Sequence, residues 1–238
     1  MRVAIHPNAA AANEAAAELF SGWLTASGVR NVMLAGGNTP LDLYRRIGER
    51  CLSLRHLNVF ALDEYAGVDG DEARNCANLI RRTAVEPWGV PAERYHCLSS
   101  TEAGAVASLR QHEQRIAAAG GVDAAVLGLG GNGHLGFNEP GSAEDSRARV
   151  VDLDPVSIEA NRAWFSCRYA PSRGATLGLR TILAARRIVL LAYGVHKAAA
   201  VKAMLEGPRS PECPASLLQG HSGANVFLDS AAASMMER

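Results

Sequence analysis

The chain has 238 residues, 48% of them hydrophobic, and its 24 lysines and arginines balance 24 aspartates and glutamates. This zero net charge indicates no nucleic-acid partner and no polybasic membrane contact, so any anion site must be local. The five cysteines include no CxxC pair, which indicates neither a disulfide framework nor a cysteine-based zinc site and fits a reduced, cytoplasmic compartment. We expect no signal peptide and no membrane-spanning segment, because no apolar run is long enough.

Short apolar runs alternate with helical periodicities along the first half of the chain. In order, they predict strand 2–6, helix 9–26, strand 32–35, helix 41–51, strand 56–62, helix 74–85, strand 95–98, helix 101–119 and strand 124–129. Proline at position 40 supports the start of the second helix, since the N–H that it lacks would be unpaired there.

The same alternation continues in the second half, although the polar segment 141–154 fits either a strand or an exposed crossover. The patterns then predict helix 156–168, a short helix ending near residue 185, strand 187–193, helix 194–206, strand 224–228 and helix 230–237. Such alternation predicts an α/β protein, a three-layer αβα, modified Rossmann-like arrangement with a mostly parallel sheet. Because no repeat or linker interrupts it, we predict a single domain over residues 1–238.

The turn after the strand at 124–129 is unusually rich in glycine and in polar side chains. Its glycines are Gly128, Gly130, Gly131, Gly133 and Gly136, and its polar residues are Asn132, His134, Asn138 and Glu139. Open α/β sheets bind ligands in crevices at the carboxyl ends of their strands, so this turn is a candidate for chemistry. The alternative is an ordinary tight turn with a structural histidine. Five glycines around two amides, an imidazole and a carboxylate favour the functional interpretation.

A second glycine turn has the layout of a phosphate cradle. The strand at 32–35 runs into Gly36, Gly37, Asn38 and Thr39, and a helix follows. Backbone N–H groups and the helix dipole favour an anion at such a turn, although a plain strand-to-helix connection would look similar. Lys197, in the first turn of another helix, opposes that helix dipole, which an anion nearby would explain. A solvated lysine is the alternative.

Two adjacent carboxylates, Asp63 and Glu64, follow the strand at 56–62. Neighbouring side chains of an extended segment point to opposite sides, so at most one of the two faces a crevice. Helix capping or surface charge is the alternative explanation for the pair.

Together these motifs identify a family. Segments 36–40, 62–67, 131–141 and 194–197 resemble, in order and spacing, the superfamily of glucosamine-6-phosphate deaminases (isomerases) and 6-phosphogluconolactonases. The run Gly-His-Leu-Gly-Phe-Asn-Glu-Pro-Gly at 133–141 is similar to the aminosugar deaminases, whereas lactonases are similar only up to the histidine. Segments 171–179 and 214–218 resemble the galactosamine-6-phosphate branch more than the glucosamine one.

The resemblance implies an enzyme of the hydrolase class in amino sugar metabolism. It would open the ring of an aminohexose 6-phosphate, isomerise the sugar from aldose to ketose and release ammonia, with no redox cofactor and no catalytic metal. Its partner would be this small sugar phosphate. We expect a cytoplasmic monomer or small homo-oligomer.

The resemblance also assigns roles. His134 would move the ring-opening proton, since an imidazole titrates near neutrality, and Glu139 would orient it, with Asn132 in the same relay. Asp63 would be the isomerisation base, because a dry site raises the pKa of a carboxylate enough for proton abstraction beside a carbonyl. The phosphate would lie on the turn at 36–39, with charge from Lys197.

The chain departs from the family pattern in two places. Many deaminases carry aspartate where this chain has Asn132, so the relay has one charge fewer. The glucosamine enzymes also place a phosphate-binding arginine in an Asn-Ser-Arg-Phe-Phe run. Here that run is Asn-Arg-Ala-Trp-Phe at 161–165, which rotates Arg162 by about 100° on a helix. Arg173, in a Pro-x-Arg context, is the better candidate, and Arg162 stays the alternative.

Two other functions compete with the deaminase. A 6-phosphogluconolactonase-type hydrolase would share the phosphate cradle and use His134 to activate water, but the Asn-Glu-Pro run at 138–140 argues against it. A sensor that binds sugar phosphate without turnover would explain Asn132 and the displaced Arg162. The intact set of Asp63, His134 and Glu139 argues for catalysis.

Overall fold

The structure, a computed structural model, describes residues 1–237. Its strands are β1 (Arg2–His6), β2 (Asn31–Leu34), β3 (Asn58–Ala61), β4 (Asp63–Ala66), β5 (Tyr95–His96), β6 (Ala124–Gly128), β7 (Arg149–Asp152), β8 (Arg173–Thr176), β9 (Ile188–Ala192) and β10 (Ala224–Asp229). Its α-helices are α1 (Ala9–Leu24), α2 (Leu41–Glu49), α3 (Cys76–Ile80), α4 (Glu102–Ala118), α5 (Pro155–Trp164), α6 (Leu179–Leu183) and α7 (Ala198–Leu205). No helix in this part of the chain is both long and apolar enough to cross a bilayer.

Seven strands form a parallel sheet in the order β1-β10-β9-β6-β2-β3-β5. Successive side chains of its central strands enter two separate cores. Met33, Leu127 and Leu190 lie in one core, and their neighbours Leu34 and Val126 lie in the other. A strand that is apolar on both faces needs cover on both faces, which is the condition for a three-layer αβα fold. The predicted fold class is therefore confirmed.

The helices divide between the two faces. On one face α1 and α2 bury an apolar stripe that includes Phe20 and Tyr44. On the other face α4, α6 and α7 contribute Ile116, Ile182 and Met204. Fully burying one such side chain stabilises the fold by roughly 1.5–3 kcal/mol, so both layers contribute substantially.

A small antiparallel sheet, in the order β4-β8-β7, stands beside the large one. The sequence analysis predicted one strand over 56–62, and the structure ends β3 at Ala61 and begins β4 at Asp63. It also left 141–154 open and missed β8. The short segment β8 carries a glycine and an alanine and has no apolar alternation, so its strand conformation depends on pairing with β4 and β7.

The predicted helix at 230–237 is wrong. The chain forms turns there, which are tied to the end of β10. Ala232 donates its N–H to the Asp229 carboxylate, and Ser230 donates its N–H to the carbonyl of His6. The Ala233 N–H bonds to the carbonyl of Asp229, but the next backbone bonds run from Ser234 to Ala231 and from Met236 to Ala233, a three-residue spacing that does not continue an α-helix.

One glycine allows the small sheet and α6 to approach the loop before β7. A Cβ on Gly178 would overlap the carbonyl oxygen of Ser146, which already accepts the N–H of Arg180. We expect Gly178→Ala to destabilise the protein by about 2 kcal/mol, because backbone atoms cannot move aside cheaply. The matched control is Gly22→Ala, in α1 with no atom near its Cβ position, which should be neutral or stabilise by up to about 1 kcal/mol. Urea unfolding of both variants checks this, and equal midpoints would contradict it.

Candidate active site

A cavity of about 580 Å³ opens at the carboxyl ends of the central parallel strands. This is the edge where open α/β sheets bind ligands. Its walls come from the turns after β2, β3, β6 and β9, and from α5. The four motifs of the sequence analysis therefore meet in one place, although they are far apart along the chain.

The glycine turn after β6 holds His134 against Glu139. Gly130 donates its N–H to the carbonyl of His134 over 3.0 Å, and a Cβ on Gly130 would collide with the imidazole ring. The His134 Nδ1 atom lies 3.2 Å from Glu139 Oε2. This contact leaves Nε2 as the ring nitrogen available to a ligand, and His134 lines the cavity.

Asn132 supports the same carboxylate and contributes no charge. Its Nδ2 donates to Glu139 Oε2 over 2.8 Å, and its Oδ1 accepts the backbone N–H of His134 over 3.3 Å. Burial by itself would raise the pKa of Glu139, but the hydrogen bond and charge of His134, with hydrogen bonds from Ser157 and Asn132, lower it to about 2. Glu139 is therefore ionised at neutral pH and can stabilise a protonated imidazole.

Asp63 lies on the opposite wall, where β3 leaves the large sheet. Its side chain is only 7% exposed and borders the cavity with Leu62, Tyr65 and Phe137. Burial raises the pKa of Asp63 to about 6, while the Cys76 thiol and the charge of His134 act in the opposite direction. A carboxylate in this range is a stronger base than an exposed aspartate.

Glu64 points away from the cavity, as alternation along a strand predicts. Its carboxylate accepts the backbone N–H groups of Tyr65, Cys76 and Ala77 over 2.8–2.9 Å. It thus fastens the start of α3 to β4 and has a structural role beside its neighbour Asp63.

The turn at 36–39 and Lys197 line the cavity together. Gly37 has φ +85°, a conformation that favours glycine, and Pro40 makes no side-chain hydrogen bond at the start of α2. Lys197 is half-buried, and burial lowers the pKa of its amine with no carboxylate of the described residues opposing the shift. A half-buried ammonium beside free helix N–H groups is suited to an anionic ligand.

Neither candidate arginine lines the cavity. The Arg162 side chain is 51% exposed and pairs with Glu159 on the outer side of α5, over 3.2 Å. Arg173 is 46% exposed and lies 3.6 Å from Asp152. It stands at the start of β8, three residues from Thr176, the partner of Asp63, and so about 10 Å along the strand.

Several cavity residues were missed by the sequence analysis, among them Cys76, Ser157 and His196. His196 stood in the motif next to Lys197 and could have been chosen for that reason. Cys76 and Ser157 lie in the first turns of helices and belong to no sequence motif. Only folding brings these two residues to the site. No group of three histidine, cysteine, aspartate or glutamate side chains within residues 1–237 is arranged to hold a metal ion.

Comparison with known proteins places these features in context. A family model described as glucosamine-6-phosphate isomerases/6-phosphogluconolactonase matches residues 7–227. A glucosamine-6-phosphate deaminase of Rhodopirellula baltica is 43% identical over 210 residues, covering 86% of this chain and 84% of the relative. That of Pseudoalteromonas translucida is 36% identical over 242 residues, covering 99% and 90%.

Solved structures agree on the fold. A monomeric glucosamine-6-phosphate deaminase superposes with a TM-score of 0.94 at 32% identity, covering 99% of this chain and 100% of that one. The 6-phosphogluconolactonase of Trypanosoma brucei has a TM-score of 0.80 at 22% identity, covering 99% and 98%. This second likeness concerns the fold alone.

The buried Asp63 should make the folded protein less stable as pH rises. Its pKa is about 6 in the folded state and about 3.9 when unfolded, so between these values the folded state binds more protons. The contribution of Asp63 to the free energy of unfolding therefore falls as the pH rises from about 4 to about 6. We expect Asp63→Asn to be about 2 kcal/mol more stable than the parent above pH 7, and nearly equal to it near pH 4, in urea unfolding.

Glu139→Gln is the control with the opposite sign. The pKa of Glu139 is depressed to about 2, so its contribution is present above about pH 4.5 and is lost as pH falls toward 2. This variant should be less stable than the parent at neutral pH. An Asp63→Asn protein that is less stable than the parent at pH 7 would contradict the prediction.

Proposed function

The chain belongs to the glucosamine-6-phosphate isomerase/6-phosphogluconolactonase family, and we propose that it isomerises and deaminates an aminohexose 6-phosphate to a ketohexose 6-phosphate and ammonia. One observation carries this proposal. The cavity has a carboxylate of raised pKa, Asp63, on one wall and an imidazole paired with an ionised carboxylate, His134 with Glu139, on the other. A basic carboxylate on one wall and an imidazole on the other suit a reaction that moves protons at two positions of one substrate.

The expected assignment to the hydrolase class is wrong. The matched relatives are named glucosamine-6-phosphate deaminases, and the family model names isomerases. We therefore describe the enzyme by its deaminase and isomerase chemistry.

His134 is the proposed acid and base for ring opening. Its Nδ1 is directed at Glu139, so Nε2 can take a proton from the anomeric hydroxyl and return one to the ring oxygen. The carboxylate stabilises the imidazolium that forms between these two transfers, and Asn132 holds the carboxylate in place.

Asp63 is the proposed base for isomerisation. In the open-chain sugar it would take the proton from carbon 2 and deliver it to carbon 1, which leaves an imine at carbon 2. Water then adds to this carbon, and the C–N bond breaks to release ammonia and the ketone. The apolar wall of Leu62, Tyr65 and Phe137 supports this role, because it keeps the carboxylate poorly solvated and basic.

The substrate phosphate is proposed to lie on Gly36, Gly37, Asn38 and Thr39, with Lys197 as its cation. Lys197 is half-buried and, within residues 1–237, no carboxylate opposes the effect of burial on its pKa, whereas Arg162 and Arg173 each pair with acids outside the cavity. We therefore assign the phosphate charge to Lys197. The cytoplasmic location and the monomeric or small oligomeric state stay predictions; a similar solved deaminase is described as monomeric.

A lactonase remains a weaker proposal. The 6-phosphogluconolactonases of Trypanosoma brucei and Leishmania guyanensis share the fold at 22% and 20% identity, whereas the deaminase of Rhodopirellula baltica is 43% identical. A sensor without turnover is disfavoured because Asp63 and His134 line one cavity and Glu139 pairs with His134.

Ammonium release from glucosamine 6-phosphate and galactosamine 6-phosphate, measured side by side, tests the proposed reaction. We expect release from at least one sugar, and a loss of about 100-fold or more in kcat for His134→Ala and for Asp63→Asn, because each removes a proton-transfer group. The preferred sugar then follows from kcat/KM.

Hydrolysis of 6-phosphogluconolactone is the parallel assay. Lactone hydrolysis without ammonium release would overturn the deaminase in favour of the lactonase. If none of the three compounds is turned over but the sugar phosphates bind measurably, the result would favour the sensor.

Lys197→Met tests the phosphate site. Loss of the one cation assigned to the phosphate should raise KM by about 10-fold or more with a smaller change in kcat, because a charge-assisted bond to the phosphate is lost. Arg162→Met and Arg173→Met are the matched controls and should change KM by less than about threefold. A larger effect from either arginine than from Lys197 would contradict the assignment.

A further inference from the structure

Helix α5 contributes a hydroxyl group to the candidate catalytic pair. Five residues of this helix line the cavity: Val156, Ser157, Ala160, Asn161 and Trp164. The helix begins at a fixed point, since the Asp154 side chain accepts the N–H of Val156 over 2.8 Å and Pro155 occupies the first turn. Ser157 thus has a defined place one residue later.

Ser157 lies where α5 contacts the turn after β6. Its Oγ is 3.4 Å from His134 Nδ1, the ring nitrogen that faces Glu139 Oε2 over 3.2 Å. The side chain belongs to a residue that is only 5% exposed. A buried hydroxyl without a function would more simply be an alanine in a helix, so the contact needs an explanation.

The donors around Glu139 show what Ser157 adds. Oε2 already accepts from Asn132 and faces His134 Nδ1, whereas Oε1 is buried and has no well-aligned partner. A buried carboxylate oxygen without a donor is costly, and a serine hydroxyl can rotate to supply one. Ser157, on α5, brings such a hydroxyl to the His134–Glu139 pair from outside the glycine turn.

We propose that Ser157 is a positioning residue whose hydroxyl fixes the Glu139 carboxylate against His134. The ability of His134 to transfer protons then depends on the position of α5. The inference rests on the proposed function, because it assigns His134 to ring opening. Glu139 would otherwise be held through Oε2 alone and could turn away from the ring. The hydroxyl acts through Glu139 and His134 and is not assigned a bond to the substrate.

Ser157→Ala and Ser157→Thr separate this role from simple packing. We expect the alanine variant to lose about tenfold in kcat for ammonium release with little change in KM, because the lost bond is to a charged group that acts in the transition state. The threonine variant keeps the hydroxyl and should stay within about threefold of the parent. Glu159→Gln, on the exposed side of the same helix, is the control and should leave activity unchanged.

Binding of an open-chain aminohexitol 6-phosphate, measured by calorimetry, distinguishes positioning from substrate contact. This probe needs no ring opening, so its Kd should be within about twofold of the parent in both serine variants. A Kd that weakens in step with kcat would overturn the proposal in favour of a direct substrate contact. Parental kcat in Ser157→Ala, or equal losses in the alanine and threonine variants, would also overturn it.

A measurement without substrate keeps the inference independent of the reaction. Nitrogen NMR of the imidazole rings reports which His134 nitrogen carries the proton. We expect the Nδ1–H form to predominate in the parent and in Ser157→Thr, and a mixture of both tautomers in Ser157→Ala. An unchanged tautomer in the alanine variant would overturn the positioning role, whereas absence of ammonium release by the parent would sink only the proposed function.

Discussion

One residue, Leu62, joins the two sheets, and the candidate site depends on that junction. Its N–H is bonded to the carbonyl of Leu34 in β2 over 2.9 Å, and its carbonyl accepts the N–H of Leu177 after β8 over 3.0 Å. The chain therefore leaves a parallel ladder and enters an antiparallel one within a single residue. Asp63 is the first residue past the junction, so it stands where both sheets exclude water and where the cavity begins.

The same junction explains why the neighbouring carboxylates Asp63 and Glu64 have different roles. Glu64 faces the start of α3 and accepts three backbone N–H groups, which brings Cys76 against Asp63. The space for Cys76 comes from Gly36, where a Cβ would stand 2.7 Å from the thiol sulfur. Three features thus pack together as one unit: the turn at 36–39, the proposed base Asp63 and the first turn of α3. A change in one of them shifts the others.

The sequence could predict the large sheet and most of the site, because both depend on local signals. Apolar runs buried on two faces identify strands such as β9, and the glycine turns identify where His134 and Lys197 stand. The strand β8 and the turns at 230–237 could not be predicted, since both are held by hydrogen bonds to distant segments. Ser157 was missed for the same reason: α5 has to be docked before its hydroxyl meets His134.

Asn132 illustrates how a neutral residue can serve an electrostatic site. An aspartate there would place a second carboxylate at hydrogen-bonding distance from Glu139, and like charges at that separation raise the pKa of one of the two groups. The amide instead donates to Glu139, so this carboxylate keeps its charge and directs it at His134. The relay of Asn132, Glu139 and His134 therefore carries one negative charge fewer than the family pattern, but its remaining carboxylate still faces His134. The hydroxyl of Ser157 acts in the same sense, because it adds a donor and no competing charge.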